Sequence, residues 1–134
     1  MIPEDLLTAA TAARAAAYAP YSGYAVGSAL RTTGGQVFSG CNFENISYGA
    51  TICAERNAVG AMILAGERRI IELVVITEDA GTPCGICLCV LGEFCDSTTK
   101  IYCTEPGGTV HTFEFQELCP HLFTSTKVAL APGP

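Results

Sequence analysis

The chain has no tryptophan, little positive charge and no long apolar run. Seven Lys and Arg stand against thirteen Asp and Glu, for a net charge of −6. Binding to polyanions is driven by clustered cations, and here they are few and scattered, so nucleic acid is excluded as a partner class. No stretch approaches the roughly 20 consecutive apolar residues that span a bilayer. The segment Met1-Ile-Pro-Glu-Asp is acidic where a secretory leader would be basic, which predicts a soluble cytoplasmic protein with no membrane partner. Internal repeats, low-complexity linkers and blocks of like charge are also absent. With 134 residues, 49% of them apolar, the sequence suits one domain, residues 1–134, with a buried core. Cysteine is abundant instead: there are eight. In a reducing compartment they are not expected to form a disulfide framework, which leaves metal ligation, thiol chemistry and core packing.

Local patterns predict the elements. Pro3 suits a helix start, with Glu4 and Asp5 at the positive end of its dipole, and an Ala-rich run continues to about Tyr18, before Pro20. Residues 24–32 and 36–41 read as strands around Gly34-Gly35, a hairpin signal because the turn needs positive φ. Residues 53–65 read as a helix ended by Gly66. The run from Ile70 to Thr77, broken only by Glu72, reads as a central strand covered on both faces. Thr82 as N-cap and Pro83 as first helical residue begin a helix reaching about Phe94. Lys100 to Thr104 and Thr109 to Phe115 read as strands, and Phe115 to Leu118 as a short helix. This order predicts an α/β layered domain with a mixed sheet of about five strands. Its crossovers would place the starts of the second and third helices near one sheet edge.

Those two starts hold the chemistry. In Thr82-Pro83-Cys84-Gly85-Ile86-Cys87, the cysteines are three apart, on one face of a first turn. Taken alone, the motif fits a metal half-site or a thioredoxin-like redox pair equally well. Thr51-Ile52-Cys53-Ala54-Glu55-Arg56 adds a third thiolate and a carboxylate two positions on. Within a regular helix, Cys53 and Glu55 would diverge, so they converge only if the helix begins close to Cys53. Arg56 returns to the cysteine's side and can donate to its sulfur. Three thiolates with an open fourth position describe a catalytic zinc site, with Glu55 as general acid and base.

Taken together, these residues resemble a cytidine deaminase of the small homotetrameric type. Cys53-Ala54-Glu55 and Pro83-Cys84-Gly85-Ile86-Cys87 resemble that family's zinc signature in its three-cysteine version. Pro20-Tyr21-Ser22-Gly23-Tyr24 and Cys41-Asn42-Phe43-Glu44-Asn45 with Ser47-Tyr48 resemble its N-terminal and nucleoside-binding segments. Val90-Leu91, Glu93-Phe94, Glu117-Leu118, Pro120 and Phe123 resemble later landmarks, so the likeness covers almost the whole chain. The resemblance implies a three-layer α/β/α fold, one Zn2+ per chain, and hydrolytic deamination of free cytidine and deoxycytidine with release of ammonia. It further implies that Asn42 and Glu44 hold the ribose hydroxyls and that Tyr24 lies against the base. Tyr48 and Phe123 would serve a neighbouring subunit's site, which makes the homotetramer's active sites shared.

The likeness has a gap. The family usually continues its second cysteine motif with Arg-Gln, whereas this chain has Leu88 and Cys89. Leucine cannot offset the charge of the sulfurs, so that burden shifts to Arg56. A deaminase of a modified or antibiotic cytosine nucleoside, a weak zinc-binding paralogue and a thiol redox protein therefore stay open. Cys41, Cys89, Cys95, Cys103 and Cys119 are read as packing or peripheral thiols, and His111 and His121 as residues outside the metal site.

Overall fold

The computed structural model describes residues 1–123. Along the chain run α1 (Glu4–Ala15), β1 (Gly27–Thr32), β2 (Val37–Cys41), a 3-10 turn (Tyr48–Ala50), α2 (Ala54–Leu64), β3 (Ile70–Ile76), α3 (Gly85–Leu91), β4 (Lys100–Thr104), β5 (Val110–Glu114) and α4 (Phe115–Leu118). The five strands form one mixed sheet in the order β2-β1-β3-β4-β5. β1 pairs antiparallel with both β2 and β3, and β4 pairs antiparallel with β5. β3 and β4 are parallel and need a crossover, which α3 supplies. At the expected hairpin, Gly35 takes φ 84 and donates its N–H to the Thr32 carbonyl.

The near-continuous apolar run of β3 is explained by two cores. Leu73 and Val75 face one side, with Leu30, Ala58, Val59, Met62, Leu91, Ile101 and Cys103. Val74 and Ile76 face the other, with Leu6, Ala10, Ala29 and Tyr102. Alternate residues of one strand thus feed opposite faces, and the sheet lies between α1 and the α2/α3 pair, the expected three layers. Among the described residues no helix is long and apolar enough to cross a membrane.

Several boundaries differ from the sequence reading, each for a long-range reason. α1 stops at Ala15, because Tyr18 is engaged elsewhere: its N–H donates to the Asn42 carbonyl and its own carbonyl accepts from Glu44. β1 begins at Gly27 because Val26 N–H is taken by the Asn42 side chain. α3 starts at Gly85 with Cys84 as N-cap, so Thr82 is not the cap and Pro83 is not the first helical residue. It ends at Leu91, and the Phe94 carbonyl accepts from Ile70 at the start of β3.

Two glycines set the distance between layers. A Cβ on Gly27 would lie 2.1 Å from the Ala10 carbonyl oxygen of α1. One on Gly40 would lie 2.5 Å from the Ala58 nitrogen and 2.7 Å from the Ala54 oxygen of α2. Those obstacles are backbone, so the helix itself has to move. Gly40→Ala should therefore destabilise the fold by about 2 kcal/mol, as overpacking does. Thermal unfolding should show a midpoint lower by several degrees; an unchanged midpoint would mean that α2 shifts freely.

Candidate active site

The starts of α2 and α3 meet. Cys53 is the N-cap of α2, with extended backbone (φ −72, ψ 156), and Glu55 falls in the first turn. The residue at the boundary is thus not yet helical, which lets its sulfur and the Glu55 carboxyl lie on one side. Cys84 is the N-cap of α3, also extended (φ −70, ψ 168), and Cys87 is buried one turn in. The Cys53 and Cys84 sulfurs are 3.8 Å apart. All three Sγ atoms lie within 4.8 Å of one another. Sulfurs sharing one tetrahedral zinc at about 2.3 Å are separated by roughly 3.8 Å, so the cluster has the right size for a single ion.

The electrostatics agree. The pKa of Cys53 is lowered to about 5, first by the hydrogen bond with Cys87, then by Arg56 and Cys84. Cys87 is pushed up by the neighbouring Cys53 sulfur, by burial and by the Glu55 charge. Without a metal, this crowding holds a proton that a dication would displace. The donor set therefore fits one zinc per chain, held by Cys53, Cys84 and Cys87. Arg56 Nη2 lies 3.6 Å from the Cys53 sulfur and 3.3 Å from the Thr51 carbonyl oxygen. Its Nε is buried with no partner, the sole such side-chain polar atom among the described residues. Leu88 is half-buried and packs against the α2/α3 core. Arg56 is thus the guanidinium beside the Cys53 sulfur, in a chain with leucine at 88.

Glu55 is 4% exposed. Burial is the main cause that raises its carboxyl above the ordinary carboxylate range, and the Cys53 charge adds to it. A carboxyl so placed is suited to proton transfer, because its affinity for a proton is raised by its surroundings.

A cavity of about 230 Å³ brings together Tyr24, Asn42, Glu44, Cys53, Glu55 and Cys84, with Ser22, Val26, Thr51, Val75, Thr77 and Thr82 in its wall. Asn42 is buried and bridges two backbone groups, accepting from Val26 N–H at 2.9 Å and donating to the Tyr24 carbonyl at 2.8 Å. Glu44 accepts from the backbone N–H groups of Tyr21 and Ser22 and from the Ser22 hydroxyl, which holds its carboxyl below the ordinary range. A second cavity of about 400 Å³ is lined by Tyr21, Ser22, Glu44, Tyr48 and Thr51, and so shares three residues with the first. Tyr48 is 73% exposed and meets Tyr21 edge to face at 6.0 Å. Phe123 is 70% exposed and lines neither of these cavities.

Four further residues of this region were not singled out from sequence: Ser22 as a partner of Glu44, Thr51, Thr77 and Asp79. Their signal lies in contacts across the fold, not in local spacing. Among the remaining thiols, Cys95 and Cys103 are buried, with pKa values pushed by burial to about 12. Cys41 and Cys119 are half-buried. Cys89 is exposed and so peripheral, not a packing residue: two positions after buried Cys87, it lies on the opposite, outer side of α3. His111 and His121 lie outside the sulfur cluster.

Comparison with known proteins agrees with this geometry. Residues 2–104 match the family described as the cytidine and deoxycytidylate deaminase zinc-binding region. A cytidine deaminase of Halalkalibacterium halodurans is 39% identical over 122 residues, 90% of this chain and 92% of that protein. One from Sporosarcina psychrophila is 35% identical, covering 96% of each. The crystal structure of cytidine deaminase from Burkholderia pseudomallei superposes with a TM-score of 0.85 at 42% identity, covering 92% of this chain and all of that one. Sequence, fold and the three-cysteine cluster converge: the chain belongs to the cytidine and deoxycytidylate deaminase zinc-binding family.

Proposed function

We propose that this protein hydrolyses free cytidine and deoxycytidine to uridine and deoxyuridine, releasing ammonia. The observation that carries the reading is a buried Glu55 beside three converging thiols in the wall of a cavity that also contains Asn42 and Glu44. Cys53, Cys84 and Cys87 would hold the zinc, which when bound would supply the Lewis acidity that makes a water nucleophilic near neutral pH. Glu55 takes a proton from the attacking water and delivers it to N3 of the pyrimidine as the water oxygen bonds to C4. The same carboxyl then carries the hydroxyl proton to the amino group. The C4–N bond breaks, and ammonia leaves uridine.

The other residues bind or orient. Asn42 and Glu44 receive the ribose hydroxyls, an amide and a carboxylate matching paired donors and acceptors. Tyr24 lies against the base, and Arg56 balances the sulfur charge. The described linings of both cavities contain carboxylates and no Lys, Arg or His, which favours an uncharged nucleoside over a phosphorylated one. Exposed Tyr21, Phe43, Ile46, Tyr48 and Phe123 support a homotetramer in which Tyr48 and Phe123 complete a neighbour's site. The free thiols suit the cytoplasm. Purified chain with its zinc measured should convert cytidine to uridine with one ammonia per turnover, and cytidine monophosphate much more slowly. A zinc-loaded chain that leaves cytidine intact would overturn the reading.

A further inference from the structure

The Tyr24 hydroxyl donates to Asp79 Oδ1 at 2.6 Å, a short charge-assisted bond. Asp79 is exposed, and the same oxygen also accepts from the Thr77 hydroxyl at 3.1 Å. The Thr77 oxygen in turn accepts the Gly81 N–H at 2.7 Å. The segment after β3 is shaped around the phenol. A Cβ on Gly81 would lie 2.7 Å from the Tyr24 hydroxyl oxygen, and Ala80 takes φ 56, a left-handed conformation that alanine rarely adopts. A phenylalanine would fill the same apolar space beside the core but would make no bond to this segment.

We propose that Asp79 is a positioning residue for substrate binding: by holding the Tyr24 hydroxyl, it fixes the plane of the ring against which the cytosine base lies. The inference rests on the deaminase reading above. Offset or edge contacts between rings depend on orientation, and a ring immobilised before binding costs the complex less ordering. The bond spans 55 positions and joins the Asn42 side of the cavity to the segment that leads into Cys84. Consistent with the contact, Tyr24 is held above the ordinary tyrosine value by burial and by Asp79, and the Tyr24 bond is the chief cause lowering Asp79.

The test compares zinc-loaded wild type with Asp79→Ala, Asp79→Asn, Tyr24→Phe and the Asp79→Ala/Tyr24→Phe double variant. Asp79→Ala should raise KM for cytidine and Kd for uridine about fivefold, the scale of one hydrogen bond. Its kcat should stay within about twofold of wild type, because the bond serves binding rather than the chemical step. Asp79→Asn keeps an accepting oxygen and should restore most of the binding. Tyr24→Phe removes only the donor, so it reads the same contact even if Asp79→Ala folds poorly. In that background Asp79→Ala should add nothing further. Unchanged KM in Asp79→Ala, additive effects in the double variant, or a matched loss of kcat and zinc would each overturn the role of Asp79. Failure of wild type to turn over cytidine would instead strike the deaminase reading itself.

Discussion

Glu55→Gln should lose at least about a thousandfold in kcat while keeping its zinc, within the range that a positioned general acid–base contributes. The substitution changes little in shape, so the site should tolerate it. Glu55 is buried in the first turn of α2, and its charged form is disfavoured there chiefly by desolvation. An uncharged amide of the same size avoids that penalty, so thermal stability should not fall. Uridine binding should also survive, because Asn42, Glu44 and Tyr24 are untouched. The amide has no transferable proton at neutral pH, so only the transfer to N3 and to the leaving amine is lost. Steady-state kinetics, metal analysis and uridine titration on one preparation separate these effects. Turnover within about tenfold of wild type would remove Glu55 from the proton path.

The second large effect separates two cysteines two positions apart. Cys87→Ala should lose zinc binding and turnover together, with affinity falling by more than the 10- to 100-fold, on the order seen when mere outer-shell support is lost. Cys89→Ala should change neither. Cys87 is fully buried and contributes one of the three converging sulfurs, whereas Cys89 is exposed and outside the cluster. Metal content by mass spectrometry under native conditions, paired with cytidine turnover, checks both variants. A zinc-bound, active Cys87→Ala protein would mean that the three-thiolate ligand set is wrong.

Much of this site was legible in the sequence because its geometry is local. That Cys53 and Glu55 share a side requires a helix starting at the cysteine, and α2 does start there. The analogous expectation for α3 failed by two positions. The preference for Thr as cap and Pro as first residue gave way to the Cys84 carbonyl, which accepts the Leu88 N–H and begins the helix at Gly85. The sheet of five strands and the covering of β3 on both faces also followed from apolar pattern and order. The ends of α1 and α3 and the start of β1 did not, because each is decided by a partner distant in sequence: the 42–44 segment for Tyr18, Ile70 for Phe94, and Asn42 for Val26. Asp79 was invisible for the same reason. Nothing in Glu78-Asp79-Ala80 distinguishes it from an ordinary polar turn until Tyr24 is brought beside it.

The sulfurs at the two helix starts also join distant parts of the chain. Cys53 and Cys84 are 31 positions apart, and the stretch between them contains α2 and β3, the strand at the centre of the sheet. A metal gripped by both closes that stretch into a ring, much as a covalent cross-link would. If the grip persisted in the unfolded chain, a ring of this length would reduce its disorder by roughly 3–4 kcal/mol. If instead the ligands converge only in the native fold, it is the metal's own affinity that is linked to folding. In either case the ion would also be a fastener for the middle of the molecule, and its loss should loosen the architecture as well as stop the reaction.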